Sequence, residues 1–178
     1  GKLHNGWRQM SGEADLALFG AVRIASSDVA IDPVFGLFGY GCEVTDNGAS
    51  YSVVPLDGVY HRLNLINNKI SLELYRDQYD SATVSKDGST ISMNIVNVTG
   101  VEHESNLDLT GIPAGNYQVL VNGELSGSFI AGEGTTTVAL PLPAGDSAKV
   151  EIKAGDLLEN TTPVVDAGKD VTTAVNET

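Results

Sequence analysis

The chain is 178 residues long and carries 23 acidic against 10 basic side chains, a formal net charge of −13. That sign excludes sequence-independent binding to nucleic acid, which needs a basic footprint, and docking on anionic lipid. Twenty glycines and a 19% charged fraction fit an all-β domain punctuated by turns, not a helical bundle or a disordered tail.

The length suffices for one domain with a proper core plus fragments of its neighbours. No apolar run approaches the roughly 20 residues that span a bilayer, so no membrane partner is expected. The single Cys42 leaves no disulfide framework and no cysteine-rich zinc site, and its apolar surroundings predict an inert buried thiol.

Residues 11–25 are expected to form one α-helix. Ala14, Leu16, Ala17, Leu18, Ala21, Val22, Ile24 and Ala25 fit a helix better than strand alternation. Ser11 suits the N-cap, and Glu13 and Asp15 fall where the helix dipole favours anions. Leu16, Ala17, Leu18 and Phe19 are consecutive, so this helix is expected to be buried on several sides.

From residue 40 to 154 strands alternate with turn signals, and the registers follow from arithmetic. Asn47-Gly48 sets Val44 opposite Tyr51 and Cys42 opposite Val53. Asn67-Asn68 pairs Leu65 with Ile70, Leu63 with Leu72 and His61 with Leu74 on an apolar face. The opposite, polar face then pairs Asn64 with Ser71, Arg62 with Glu73, and Tyr60 with Tyr75. Asp87-Gly88 sets Val84 opposite Ile91 and Ala82 opposite Met93.

At Asn122-Gly123 a plain two-residue loop would oppose Tyr117 to Ser128. An odd loop or a bulge, giving Val121–Leu125 and Tyr117–Phe129, is expected instead. Further strands are expected around 107–109, 136–140 and 148–153. About ten strands with hairpin links predict an antiparallel β-sandwich, Ig-like or jelly-roll-like, with one N-terminal α-helix.

Beyond Gly155 the chain is linker-like, and Pro163-Val-Val-Asp-Ala-Gly-Lys-Asp170 resembles the opening strand of polycystic-kidney-disease-type and related Ig-like modules. The stretch from Gly6-Trp7 to Arg23, with Asp32-Pro-Val-Phe-Gly-Leu-Phe-Gly-Tyr-Gly41, resembles the end of six-hairpin, (α/α)6-barrel glycosidase-like proteins. There a last barrel helix hands over to a C-terminal β-sandwich. The resemblance implies three zones: residues 1–39 as terminal helix and connector of an upstream helical domain, 40–154 as the sandwich, and 155–178 as linker and first strand of a following module.

It further implies a secreted or cell-surface-attached bacterial protein acting on polysaccharide, with the upstream (α/α)6 catalytic domain as partner. In such glycosidases a catalytic carboxylate sits near the start of a late barrel helix, a placement that Glu13 or Asp15 matches. The partner acid would come from the barrel, because glycoside hydrolysis needs two carboxyls across the sugar. The alternative for both residues is simple complement to the helix dipole. This chain alone is expected to be a non-catalytic accessory sandwich.

A carbohydrate-binding module is the second reading, with Tyr60 and Tyr75 stacking on sugar beside Arg62 and Glu73. The plain alternative is a cross-strand aromatic pair and a surface ion pair. An adhesive or structural Ig-like surface module is the third. No cofactor is required. Ca2+ is an option for Asp46-Asn47-Gly48, Asp77 to Asp80 or Glu102-His103-Glu104, although none has EF-hand spacing. Neither a Gly-x-Ser-x-Gly elbow nor a phosphate-cradling glycine loop occurs.

Overall fold

The computed structural model describes residues 26–56 and 61–158. The helix expected over 11–25, with Glu13 and Asp15, lies outside these residues, as do Tyr60 and the module start expected from Pro163. The described residues are mainly β. Their strands are β1 (Ser27–Asp32), β2 (Gly36–Tyr40), β3 (Cys42–Asp46), β4 (Ser50–Pro55), β5 (Arg62–Leu65), β6 (Ile70–Leu74) and β7 (Gln78–Ser85). There follow β8 (Thr90–Val96), β9 (His103–Thr110), β10 (Gly115–Val121), β11 (Glu124–Ala131), β12 (Thr135–Leu142) and β13 (Ser147–Ala154).

They form two sheets, a six-stranded one ordered β12-β9-β6-β5-β1-β2 and a seven-stranded one ordered β11-β10-β13-β8-β7-β4-β3. Period-two alternation explains the packing. Leu63, Leu65, Leu72, Leu107, Leu109 and Leu140 from the first sheet share one core with Val53, Tyr79, Val84, Ile91, Ile95 and Ile152 from the second. Each such fully buried aliphatic side chain contributes about 1.5–3 kcal/mol by leaving water. Cys42 is buried in this core, and burial is the main cause that pushes its thiol up to about 11.

Strand formation begins earlier than the sequence pattern suggests. β1 and β2 occupy residues that read as connector, because Gly36 and Gly39 break the alternation that would reveal them. Asp32 holds their hairpin: its Oδ1 accepts the amides of Val34 at 2.7 Å and Phe35 at 2.9 Å. The sheets are not purely antiparallel either. β1 pairs with β5 in parallel, Ser27 with Leu63 and Val29 with Leu65. That geometry needs a long connection, here the excursion of β3 and β4 into the other sheet.

The hairpin registers divide instructively. Arg62–Glu73, Leu63–Leu72, Asn64–Ser71 and Leu65–Ile70 pair as expected, although the turn covers residues 66–69 and ends with Lys69 at φ 58. Val84–Ile91 and Ala82–Met93 also pair as expected. β3 and β4 are displaced: Val44 faces Val53 and Cys42 faces Pro55. The turn there is Gly48-Ala49, closed by the Asn47 amide donating to the Ser50 carbonyl at 2.9 Å. Gly48 has φ +84, which suits the first central position of a type II′ turn. A two-residue displacement preserves which side chains face inward.

At Asn122-Gly123 both residues have positive φ, so this is a tight two-residue turn with Val121 opposite Glu124. The expected bulge is present, between Val119 and Leu120, and restores Tyr117 opposite Phe129. Their rings stack at 5.3 Å. The expected Val121–Leu125 pair is replaced by Leu120–Leu125.

Candidate functional site

The outward face of the six-stranded sheet gathers the polar side chains singled out in the sequence. Arg62 and Asn64 alternate with buried Leu63 and Leu65, and Ser71 and Glu73 with buried Ile70, Leu72 and Leu74. Register aligns one row across four strands: Thr137, Asp108, Glu73 and Arg62. A second row runs Thr135, Thr110, Ser71, Asn64, Asp28 and Tyr40.

The first row holds two bonded pairs, Arg62 with Glu73 and Thr137 with Asp108. Arg62 grips Glu73 with two nitrogens, Nε lying 3.0 Å from Oε2. Both side chains remain 42% exposed, so the pair adds at most about 1 kcal/mol to stability. Asp108 accepts from Tyr75 Oη at 2.9 Å and from Thr137 Oγ1 at 2.6 Å. The bond to Asp108 is the main cause that raises the Tyr75 phenol above its ordinary value. Tyr75 is 60% exposed; its hydroxyl is tethered while its ring stands in solvent.

Glu73 and Asp108 face each other directly, an unfavourable like-charge arrangement that stability alone does not call for. The second row repeats the pattern. Ser71 Oγ donates to Asn64 Oδ1 and Asn64 Nδ2 to Asp28 Oδ1, each at 2.7 Å. Phe38 and Tyr40, edge to face at 6.4 Å, close its far end.

Of the expected sugar-binding set, the structure thus brings together Arg62, Glu73 and Tyr75; Tyr60 lies outside the described residues. The rows add Asp108, Thr137, Thr110, Thr135 and Asp28 to the residues expected from the sequence. For Asp108 and Thr110 the signal is the alternation in β9, where Leu107 and Leu109 point inward and Asp108 and Thr110 outward. Sequence could not place that strand beside Glu73.

The three candidate calcium groups are engaged separately. Asp46 accepts from the Gly48 amide and Lys86 Nζ, and Asp80 from Asn94 at 2.7 Å. Among the described residues no group of three or more His, Cys, Asp or Glu converges as a metal ion would require. Glu102, His103 and Glu104 line an open groove of about 590 Å³ with Glu124, Pro141 and Leu142.

Asp77 joins a clasp instead. Its side chain is fully buried and that of His103 only 11% exposed. His103 Nε2 lies 2.8 Å from Asp77 Oδ2 and Nδ1 3.0 Å from the Val101 carbonyl. Acceptors facing both ring nitrogens favour the imidazolium, since neutral imidazole has one donor. The Val101 carbonyl and Asp77 accordingly raise the His103 pKa. Burial opposes ionisation of Asp77, but the neighbouring Ser105 hydroxyl and the hydrogen bonds from His103 and the Val98 amide outweigh it and hold the carboxyl below its usual range.

Asn97 completes the clasp. Its Nδ2 donates to the Val101 and Pro143 carbonyls, and its Oδ1 accepts from the Thr99 and Gly100 amides. Thr99 Oγ1 lies 3.2 Å from His103 Nδ1, but the Val101 carbonyl already claims that nitrogen. The constellation is therefore structural, not a nucleophile with its base. Compared with protein-family models, curated proteins and solved structures, the chain matches none.

Proposed function

We propose that this chain is a non-catalytic, Ig-like or jelly-roll-like accessory module of a secreted or surface-attached bacterial polysaccharide-acting enzyme. Its role is to support an upstream (α/α)6 catalytic domain and to contact glycan through the outward face of the six-stranded sheet. One observation carries the glycan contact: the solvent-facing Tyr75 ring beside the bonded pairs Arg62–Glu73 and Asp108–Thr137. An exposed ring offers a platform for the apolar face of a pyranose, and fixed donors and acceptors beside it read hydroxyls. Pre-bonded side chains lose little freedom when the sugar arrives.

Affinity electrophoresis through soluble polysaccharides tests this. The protein should be retarded, and Tyr75→Ala should weaken binding about tenfold, the worth of roughly 1.4 kcal/mol of stacking. Since Tyr75 is solvent-exposed, its melting temperature should move little. Passage without retardation through every gel would refute the glycan contact.

A further inference from the structure

We infer that the polysaccharide this face takes is a neutral one, and that polyuronates and sulfated glycans are turned away by the face itself. The inference rests on the glycan-contact reading above and adds the chemical class of ligand. Carboxylates dominate the charge of the outward face. Asp28, Glu73 and Asp108 all lie on it, and Arg62 is the one Lys or Arg on the six strands of this sheet. A polyanion needs a guanidinium fork or an ammonium free to meet each carboxylate or sulfate.

One bidentate edge of that fork is already occupied. Glu73 takes Nε and Nη2 of Arg62, leaving no bidentate edge on that side of the guanidinium. Asp108 and Asp28 are held by neutral donors: Tyr75 and Thr137 for the first, Asn64 for the second. Among the described residues neither carboxylate forms an ion pair. Towards a neutral sugar the same oxygens are assets, because an ionised acceptor makes a stronger bond to a hydroxyl than a neutral one does. Towards a polyuronate they repel, most strongly at low ionic strength where screening is weak.

The test compares gels containing neutral polysaccharides (a β-glucan, a xylan and a mannan) with gels containing polygalacturonate or dextran sulfate, at low salt. The wild type should be retarded by at least one neutral polymer and bind it at least tenfold more tightly than either polyanion. The double variant Glu73→Gln/Asp108→Asn frees Arg62 and removes two carboxylates, while keeping one acceptor oxygen where Asp108 serves Tyr75 and Thr137 with two. It should gain retardation by polygalacturonate that disappears when salt is added.

Wild-type retardation by a polyanion as strong as by any neutral polymer overturns the inference and leaves the glycan contact standing. Absence of retardation in every gel overturns both. A double variant that stays indifferent to polygalacturonate shows that the masked Arg62 is not the gate, and likewise overturns it. So does self-association through this face, seen as a dimer in size exclusion that Tyr75→Ala dissociates.

Discussion

Asp77→Ala should destabilise the domain by about 3 kcal/mol or more, the usual cost of removing one partner from a buried ion pair. The loss exceeds the bond itself, because the variant strands His103 Nε2 and takes the acceptor from the Val98 amide, both joined to Asp77 in the native fold. Urea unfolding gives the number. A cost under about 1 kcal/mol would mean that the clasp is ornamental.

The same pair predicts a pH profile with two falling limbs. The folded pKa of His103 is raised above 6.5, so its contribution is complete below 6.5 and disappears as pH rises through the folded value. The folded pKa of Asp77 is lowered below 3.8, so its contribution is complete above 3.8 and disappears as pH falls through the folded value. Stability should therefore decline on raising pH from 6 to 9, and His103→Gln should flatten that limb while making the acid limb shallower, because His103 helps to lower the Asp77 pKa. An equal alkaline slope in both proteins would assign the titration elsewhere.

Two glycines with nearly the same backbone should respond differently to alanine. Gly111 and Gly36 have φ of +77 and +75, where any side chain is strained by about 1 kcal/mol. A Cβ at Gly36 would meet nothing within 4 Å, whereas one at Gly111 would lie 1.9 Å from the Lys69 carbonyl oxygen. That oxygen is backbone, and the β5–β6 turn would have to move. Gly36→Ala should cost about 1 kcal/mol and Gly111→Ala roughly 3, or about 8 °C in Tm for a domain of this size. Equal costs would show that the turn yields freely.

What the sequence made legible follows from how far each contact reaches. The β5–β6 register could be read because both strands alternate strictly and lie four residues apart, so one pairing satisfies both faces. β3–β4 could not be fixed to better than two residues. Shifting a partner by two returns every side chain to its own face, and the choice fell to Gly48, whose positive φ the alternation does not encode. The bulge beside Asn122-Gly123 was legible from the Tyr117–Phe129 match, but its position one pair further along was not.

The candidate face divides the same way. Arg62 and Glu73 come together through a local hairpin, and the sequence shows it. Asp108 meets Glu73 across 35 residues, a partnership that depends on strand order. Single-sequence periodicity contains nothing about strand order.

β1 and β2 join the rest of their sheet through three parallel partners, Ser27–Leu63, Asp28–Asn64 and Val29–Leu65. The hairpin within them is local, but its attachment closes a loop of more than thirty residues, and such contacts form after the entropy of closure has been met. This seam should be the last to assemble and the first to part. In native-state hydrogen exchange, the amides of β1 and β2 should open as one unit at a free energy well below that of β8 and β13. A stretch of chain pulling from upstream of Ser27 would act on that unit first, making it a mechanical fuse that yields before the core does.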